Sequence, residues 1–215
     1  MEGAGLRERK KARTRRLIAD TAARLFAEHG YEHVAVADVA RAADVAEQTV
    51  YNYFPAKQQL VTDREEQVQD RLCDRIRSRA AGVTPAAAVR ETVLEFVAGI
   101  RLVPAESWRG ELGHLATLSP TVHRLALELV DRQAAALAAA IAETSTVAPE
   151  VARLQGIALA GVYRILIAEA GRRTAEGQSQ ARIADELYPM IEHLLGELDR
   201  WFSAGAPTGS RRPRD

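Results

Sequence analysis

Residues 34–53 read VAVADVARAADVAEQTVYNY, and the spacing of their apolar positions decides the fold. Val36, Val39, Ala40 and Ala43 recur at helical spacing, and Val50 and Phe54 do so again after a break at Asp44. Two short helices joined by a tight turn are predicted. Upstream, Ile18, Ala22, Leu25 and Phe26 mark one face of a helix from about Lys10 to Glu28, which Gly30 should stop. Downstream, Pro55 ends the second short helix. A charge-rich helix from about Lys57 to Ala80 follows, with an apolar stripe of Leu60, Val68, Leu72 and Ile76 that suits a connector between two domains.

Working outward, no stretch alternates apolar and polar residues between tight turns, so strands are not expected. Thr84-Pro85, Ser119-Pro120 and Ala148-Pro149 each place proline at a first helical position, two of them after a capping hydroxyl. Helices are read at about Pro85 to Leu102, Glu106 to Thr117, Pro120 to Thr144, Pro149 to Arg173 and Gln178 to Ser203. The expectation is an all-α chain of about nine helices. A basic flexible arm (1–10) precedes a three-helix unit (11–60, with two short helices and a tight turn at about 34–53). A larger helical domain (61–203) and a disordered tail (204–215), rich in Gly, Pro, Ser and Arg, complete it.

Composition narrows the classes. The 215 residues carry 29 Lys plus Arg against 29 Asp plus Glu, so net charge offers no argument for nucleic acid and only the distribution can. The lone Cys73 cannot form an intramolecular disulfide and suits a reducing compartment. The charged first residues hold no signal-peptide core, and no segment approaches roughly 18 uninterrupted apolar residues. A cytoplasmic protein with no membrane partner is expected.

The charge distribution is informative at one end. Residues 1–16 hold Arg7, Arg9, Lys10, Lys11, Arg13, Arg15 and Arg16 against only Glu2 and Glu8. A basic segment leading into a three-helix unit is an electrostatic footprint for a phosphate backbone, because each cation on a phosphate releases condensed counterions. The short second helix is of the kind that enters a major groove about 12 Å wide. Within it Gln48 and Asn52 are i, i+4 neighbours whose amides match adenine N6 and N7.

From Arg13 to Leu60 the sequence resembles the DNA-binding domain of the tetracycline-repressor (TetR) family. The resemblance is carried by Ile18-Ala19, Ala22-Ala23, the run Leu25-Phe26-Ala27-Glu28-His29-Gly30-Tyr31, Val39-Ala40, Ala43, Val45, Thr49-Val50-Tyr51, Tyr53-Phe54 and Lys57. It implies a repressor that binds a palindromic double-stranded operator as a homodimer, with Thr49, Tyr51, Tyr53 and Lys57 positioned on phosphates. Arg13 and Arg15 of the basic segment join them as expected DNA contacts. Three positions depart from the family pattern. Asp44 stands where the turn usually has Gly, and Asp tolerates left-handed backbone. Ala46 replaces the usual Ser cap, at a cost of about 1 kcal/mol, and Val34-Ala35 replaces a Thr cap, leaving Asp38 to favour that helix end. Glu47, a carboxylate beside phosphates, is expected to accept from a cytosine N4 amine and so to read sequence.

Beyond residue 61 the resemblance extends only to helical character and length. Ala134 to Ala136, Ala138 to Ala140, Gly156, Ala158, Ala160 and Gly161 point to close helix approach. The last two helices (about 149–173 and 178–203) carry more apolar surface than an isolated pair hides, and the resemblance implies that they pair with their two-fold mates. An unidentified small-molecule effector, if one binds, is expected among the helices from Leu60 to Arg173. Arg101, Trp108, His114, Tyr163 and Arg164 are the groups best able to orient it. No cofactor and no metal are expected. An all-helical enzyme is disfavoured, because Glu111-x-x-His114, the spacing of a di-iron ligand pair, has no second copy. A ligand-insensitive DNA-binding adaptor is the remaining alternative.

Overall fold

The computed structural model describes residues 2–204, with side chains from residue 7 onward except at position 106. The expected tail therefore lies, beyond Ala204, outside the described residues. Among these the chain is all helix: α1 (Glu2–His29), α2 (Val36–Ala42), α3 (Glu47–Tyr53), α4 (Gln59–Arg77), α5 (Pro85–Gly99), a 3-10 turn (Ile100–Leu102), α6 (Ala105–Trp108), α7 (Leu112–Leu118), α8 (Pro120–Thr144), α9 (Pro149–Ala175) and α10 (Gln180–Ala204). The prolines start helices as expected. Thr84 and Ser119 accept hydrogen bonds from the amides of Ala87 and Val122 at 3.0 and 3.1 Å, whereas Ala148 has no side-chain cap.

Two boundaries differ from the sequence reading. α1 starts at Glu2 rather than near Lys10, so the basic segment continues the helix instead of preceding it as an arm. From Leu6 to Lys11 the sequence holds only good helix formers, Leu, Arg, Glu and Lys, with two glycines, Gly3 and Gly5, before them. The single helix expected at 106–117 is two, broken around Gly110. The break follows from tertiary packing: a Cβ at Gly110 would overlap the backbone carbonyl of Ala23, so only glycine lets this turn seat against α1.

Two hydrophobic cores organise the chain. The first gathers Ile18, Ala22, Phe26, Val39, Val50 and Phe54 from α1 to α3 and continues through Leu60 and Val61 to Leu112, Leu115 and Val122. The second holds Val68, Leu72 and Ile76 of α4 with residues of α5, α8, α9 and α10. α4 thus enters both cores, which is the connector role its stripe predicts. α8 and α9 approach closely where Gly156 faces Ala134 and Ala138, a Cβ there falling 2.6 Å from the Ala134 carbonyl.

By length and composition alone α9 could cross a membrane. The chain packs one side of it against α7, α8 and α10, with Gln155 and Tyr163 buried along it.

Candidate DNA-binding face

The site is built from the turn outward. Ala43 closes α2 by donating to the Val39 carbonyl, and the Val45 amide donates to Ala40 at 3.0 Å. Asp44 between them adopts φ +53, the left-handed conformation that the tight turn requires and that Asp tolerates. The missing caps are visible. Neither Ala35 nor Ala46 offers a side-chain bond, but Asp38 accepts from the Ala35 amide at 2.9 Å. That bond, with Arg41 alongside, holds the Asp38 carboxyl below its ordinary pKa.

α3 is anchored by Val50, fully buried, and by Phe54 just beyond its end. Glu47, Gln48, Tyr51 and Asn52 are exposed, and Thr49 and Tyr53 are half-buried. The exposed face thus presents four of the six polar residues expected of it. Gln48 Nε2 donates to Asn52 Oδ1 at 3.2 Å, pre-aligning the two amides. Arg13 is exposed on α1.

Arg15 and Lys57 are placed differently from the rest. Arg15 lies over the Phe54 ring at 4.7 Å and donates to the Tyr53 carbonyl at 3.1 Å. It also forms an ion pair with the buried Asp63 carboxylate of α4. Its guanidinium therefore ties α1, the end of α3 and α4 together. Lys57 lies in the turn before α4, donates to the Tyr31 carbonyl at 2.6 Å and sits 4.2 Å from the Tyr31 ring centroid. Partial burial lowers its pKa. Two of its three ammonium donors stay available.

A second site lies in the body, a cavity of about 260 Å³ among α4, α5, the 3-10 turn, α7 and α9. Of the residues expected around a ligand, Trp108 and His114 line it. Trp108 donates to Thr174 at 2.8 Å. Arg101 points outward to Asp185 at 2.7 Å, and Arg164 is exposed. Tyr163 is buried against Phe96, ring centroids 5.7 Å apart, with its hydroxyl unpartnered.

Sequence reasoning missed the most unusual lining residue, Glu65. It is 2% exposed, and its Oε2 has no partner. Burial, reinforced by the Glu111 charge, pushes its pKa to about 8. The signal was present: Val61, Glu65, Val68, Leu72 and Ile76 fall on one helical stripe, with a carboxylate among the apolar residues. Glu111 pairs instead with Arg64 at 3.0 Å. His114 is hydrogen-bonded to the Gly171 backbone, and desolvation holds its pKa down.

A short recognition-type helix exposed on a three-helix head, joined by a long connector to a helical body, defines a helix-turn-helix protein. Residues 18–63 match the model described as bacterial regulatory proteins, tetR family. It is 26% identical over 152 residues to the HTH-type transcriptional regulator TcmR of Streptomyces glaucescens, covering 71% of this chain and 63% of that protein. The chain thus spans less than two thirds of that relative. Over 49 residues, 23% of this chain and 25% of the relative, it is 43% identical to a Mycobacterium tuberculosis protein named as the mycofactocin biosynthesis transcriptional regulator MftR. In fold it is similar to crystalline NalD, the secondary repressor of the MexAB-OprM multidrug efflux pump in Pseudomonas aeruginosa. That likeness has TM-score 0.52 at 22% identity and covers 88% of this chain and 96% of NalD.

Proposed function

We propose that the chain is a transcriptional repressor that binds palindromic double-stranded operator DNA as a homodimer in the cytoplasm and is released by a small-molecule effector. The observation that carries the reading is α3, which presents Glu47, Gln48, Tyr51 and Asn52 outward on a helix fixed by Val50 and Phe54. In a major groove, Gln48 and Asn52 read base edges, Glu47 accepts from a cytosine amine, and Tyr51, Thr49, Tyr53, Lys57 and Arg13 hold phosphates. Arg15 acts as a positioning residue, fixing α3 against α4. Residues 11–60 form the DNA-binding domain and 61–203 the regulatory and dimerisation domain.

The two-fold partner is supported by apolar surface on the last two helices. Leu154 and Ile157 of α9 are 51% and 52% exposed, and Val151, Ile165, Tyr188 and Trp201 are also open. Pairing α9 and α10 with their mates covers these residues and sets two α3 helices on successive half-sites. The effector occupies the cavity beside Glu65. It releases DNA only if it binds the DNA-incompetent state more tightly, and α4, which enters both cores, carries the change.

The test is selection of bound fragments from genomic DNA at a stated salt concentration. Enrichment of an inverted repeat whose half-sites lie one helical turn or a multiple apart supports the proposal, and uniform recovery of fragments rejects it.

A further inference from the structure

The body cavity has an unusual electrostatic composition. Its walls are largely apolar or aromatic, including Phe96, Trp108, Ile100 and Ile167, yet Glu65 is among the lining residues, and one oxygen of its buried carboxyl has no hydrogen-bond partner. Arg64 offsets that carboxyl only in part, because its guanidinium is paired with Glu111 at 3.0 Å. Arg71 is exposed, with its Nε directed to the Gln67 carbonyl at 3.4 Å. His114 adds a second acceptor: the ring donates to the Gly171 backbone, leaving a buried Nδ1 with no partner. Buried polar atoms are ordinarily hydrogen-bonded, and two unmet acceptors among the lining residues of one cavity, one on α4 and one on α7, call for a donor.

We propose that the cavity takes a compact organic amine, bound as its ammonium against Glu65 and His114 with an apolar, single-ring body between Phe96 and Trp108. An ammonium offers three donors and no acceptor, which matches the unmet groups. Its charge compensates a carboxylate that the cavity otherwise keeps protonated, whereas a neutral ligand gains nothing from that charge. The aromatic walls favour an aryl body. The volume lies just below the roughly 300–1,000 Å³ of drug-sized sites, so one ring and a short chain fit and a fused polycycle does not. Only the consequence for DNA rests on the regulatory reading above; the binding chemistry stands without it.

The test compares phenethylamine, phenethyl alcohol and hydrocinnamate, similar in shape and different in charge, by calorimetry at neutral pH on the full chain and on Glu65→Gln. The amine is expected to bind at least about tenfold more tightly than the alcohol, a margin of about 1.4 kcal/mol. In Glu65→Gln that margin should vanish while alcohol binding persists. The proposal is overturned by equal binding of amine and alcohol, by preference for the carboxylate, by amine binding indifferent to Glu65→Gln, or by no saturable amine binding at millimolar concentration. Operator binding measured with and without phenethylamine separates the two readings. Glu65-dependent amine binding that leaves operator affinity unchanged keeps the cation site and removes its regulatory role.

Discussion

Replacing Glu65 with Gln should make the protein more stable at neutral and alkaline pH and remove part of its pH dependence. Glu65 has a folded-state pKa of about 8 against an ordinary value of 4.5. Below about pH 4.5 folded and unfolded chains both hold this proton, and its contribution to stability is fully present. As the pH rises, the unfolded chain releases the proton near 4.5 while the folded chain keeps it until about 8, so stability falls by about 1.4 kcal/mol per pH unit across that window. By pH 7, two and a half units into it, the folded state has lost about 3 kcal/mol. At 2% exposure, solvent screening takes little from this figure. Gln fills nearly the same volume and does not titrate. Its buried amide carries a cost of roughly 1–3 kcal/mol that is the same at every pH. The diagnostic is therefore the slope. The difference in stability between Glu65→Gln and the parent should grow by about 3 kcal/mol between about pH 4.5 and 7, or roughly 6–12 °C in melting temperature for a chain of this size. Thermal unfolding by far-UV circular dichroism at matched pH measures it, and other carboxylates cancel because both proteins share them. A difference that stays constant from about pH 5 to 8, or that moves against the variant as pH rises, refutes the reasoning.

Other substitutions separate reading, positioning and assembly. Arg15→Ala strands the buried Asp63 carboxylate and frees the end of α3, and should cost roughly 2–3 kcal/mol, below the range for a fully buried pair because Arg15 is 39% exposed. Arg13→Ala should leave the melting temperature unchanged and reduce the salt slope of operator binding by about one. Glu47→Ala should relax preference at a single C·G pair of the half-site, seen by competition among operator variants, with non-specific affinity rising as a carboxylate leaves the phosphates. Leu154→Arg, placed on the exposed stripe of α9, should shift sedimentation from dimer to monomer with unchanged helicity. Gly110→Ala should destabilise by about 3 kcal/mol or more, read by denaturant unfolding, since the new methyl meets backbone rather than a movable side chain.

What the sequence made legible follows from how local each cause is. The helix-turn-helix rests on apolar spacing, one left-handed residue and a proline, all within about twenty consecutive positions, and even the substitution of Asp44 for glycine announces its backbone. The caps at Thr84 and Ser119 are equally local. The break at Gly110 was not legible because its cause is Ala23, which the chain brings alongside only when folded. Arg15 reads as one more cation in a basic run; only Asp63, forty-eight residues on, draws it inward. In the body, Trp108 and His114 line the cavity beside Glu65, Tyr163 and Arg164 line a separate pocket between α7, α8 and α9, and Arg101 reaches outward to Asp185. Glu65 was readable as a carboxylate on an apolar stripe, which burial makes costly and therefore informative.

The three consecutive residues Asp63, Arg64 and Glu65 show how one helix can connect the two sites. Successive residues on an α-helix project about 100° apart, so three in a row must face different neighbours. Asp63 faces α1 and holds Arg15, which in turn fixes the carbonyl of Tyr53 at the end of α3. Arg64 faces the start of α7 and holds Glu111. Glu65 faces the cavity, and its pKa is set partly by that same Glu111. Ionising Glu65 under a bound ammonium places a second carboxylate in the field of Glu111, and Arg64, one residue away on the same helix, is the cation between them. Arg64 and Asp63 are neighbours on α4, so a shift of the helix at Arg64 is also a shift at Asp63. Asp63 and Arg15 cannot follow such a movement without pulling on Tyr53, because their pair is buried on the Asp63 side and crosses to the main chain of α3. On the proposed reading, a change of one proton in the cavity reaches the placement of α3 through these three adjacent side chains. Asp63→Asn should accordingly uncouple amine binding from operator release more strongly than it weakens either one alone.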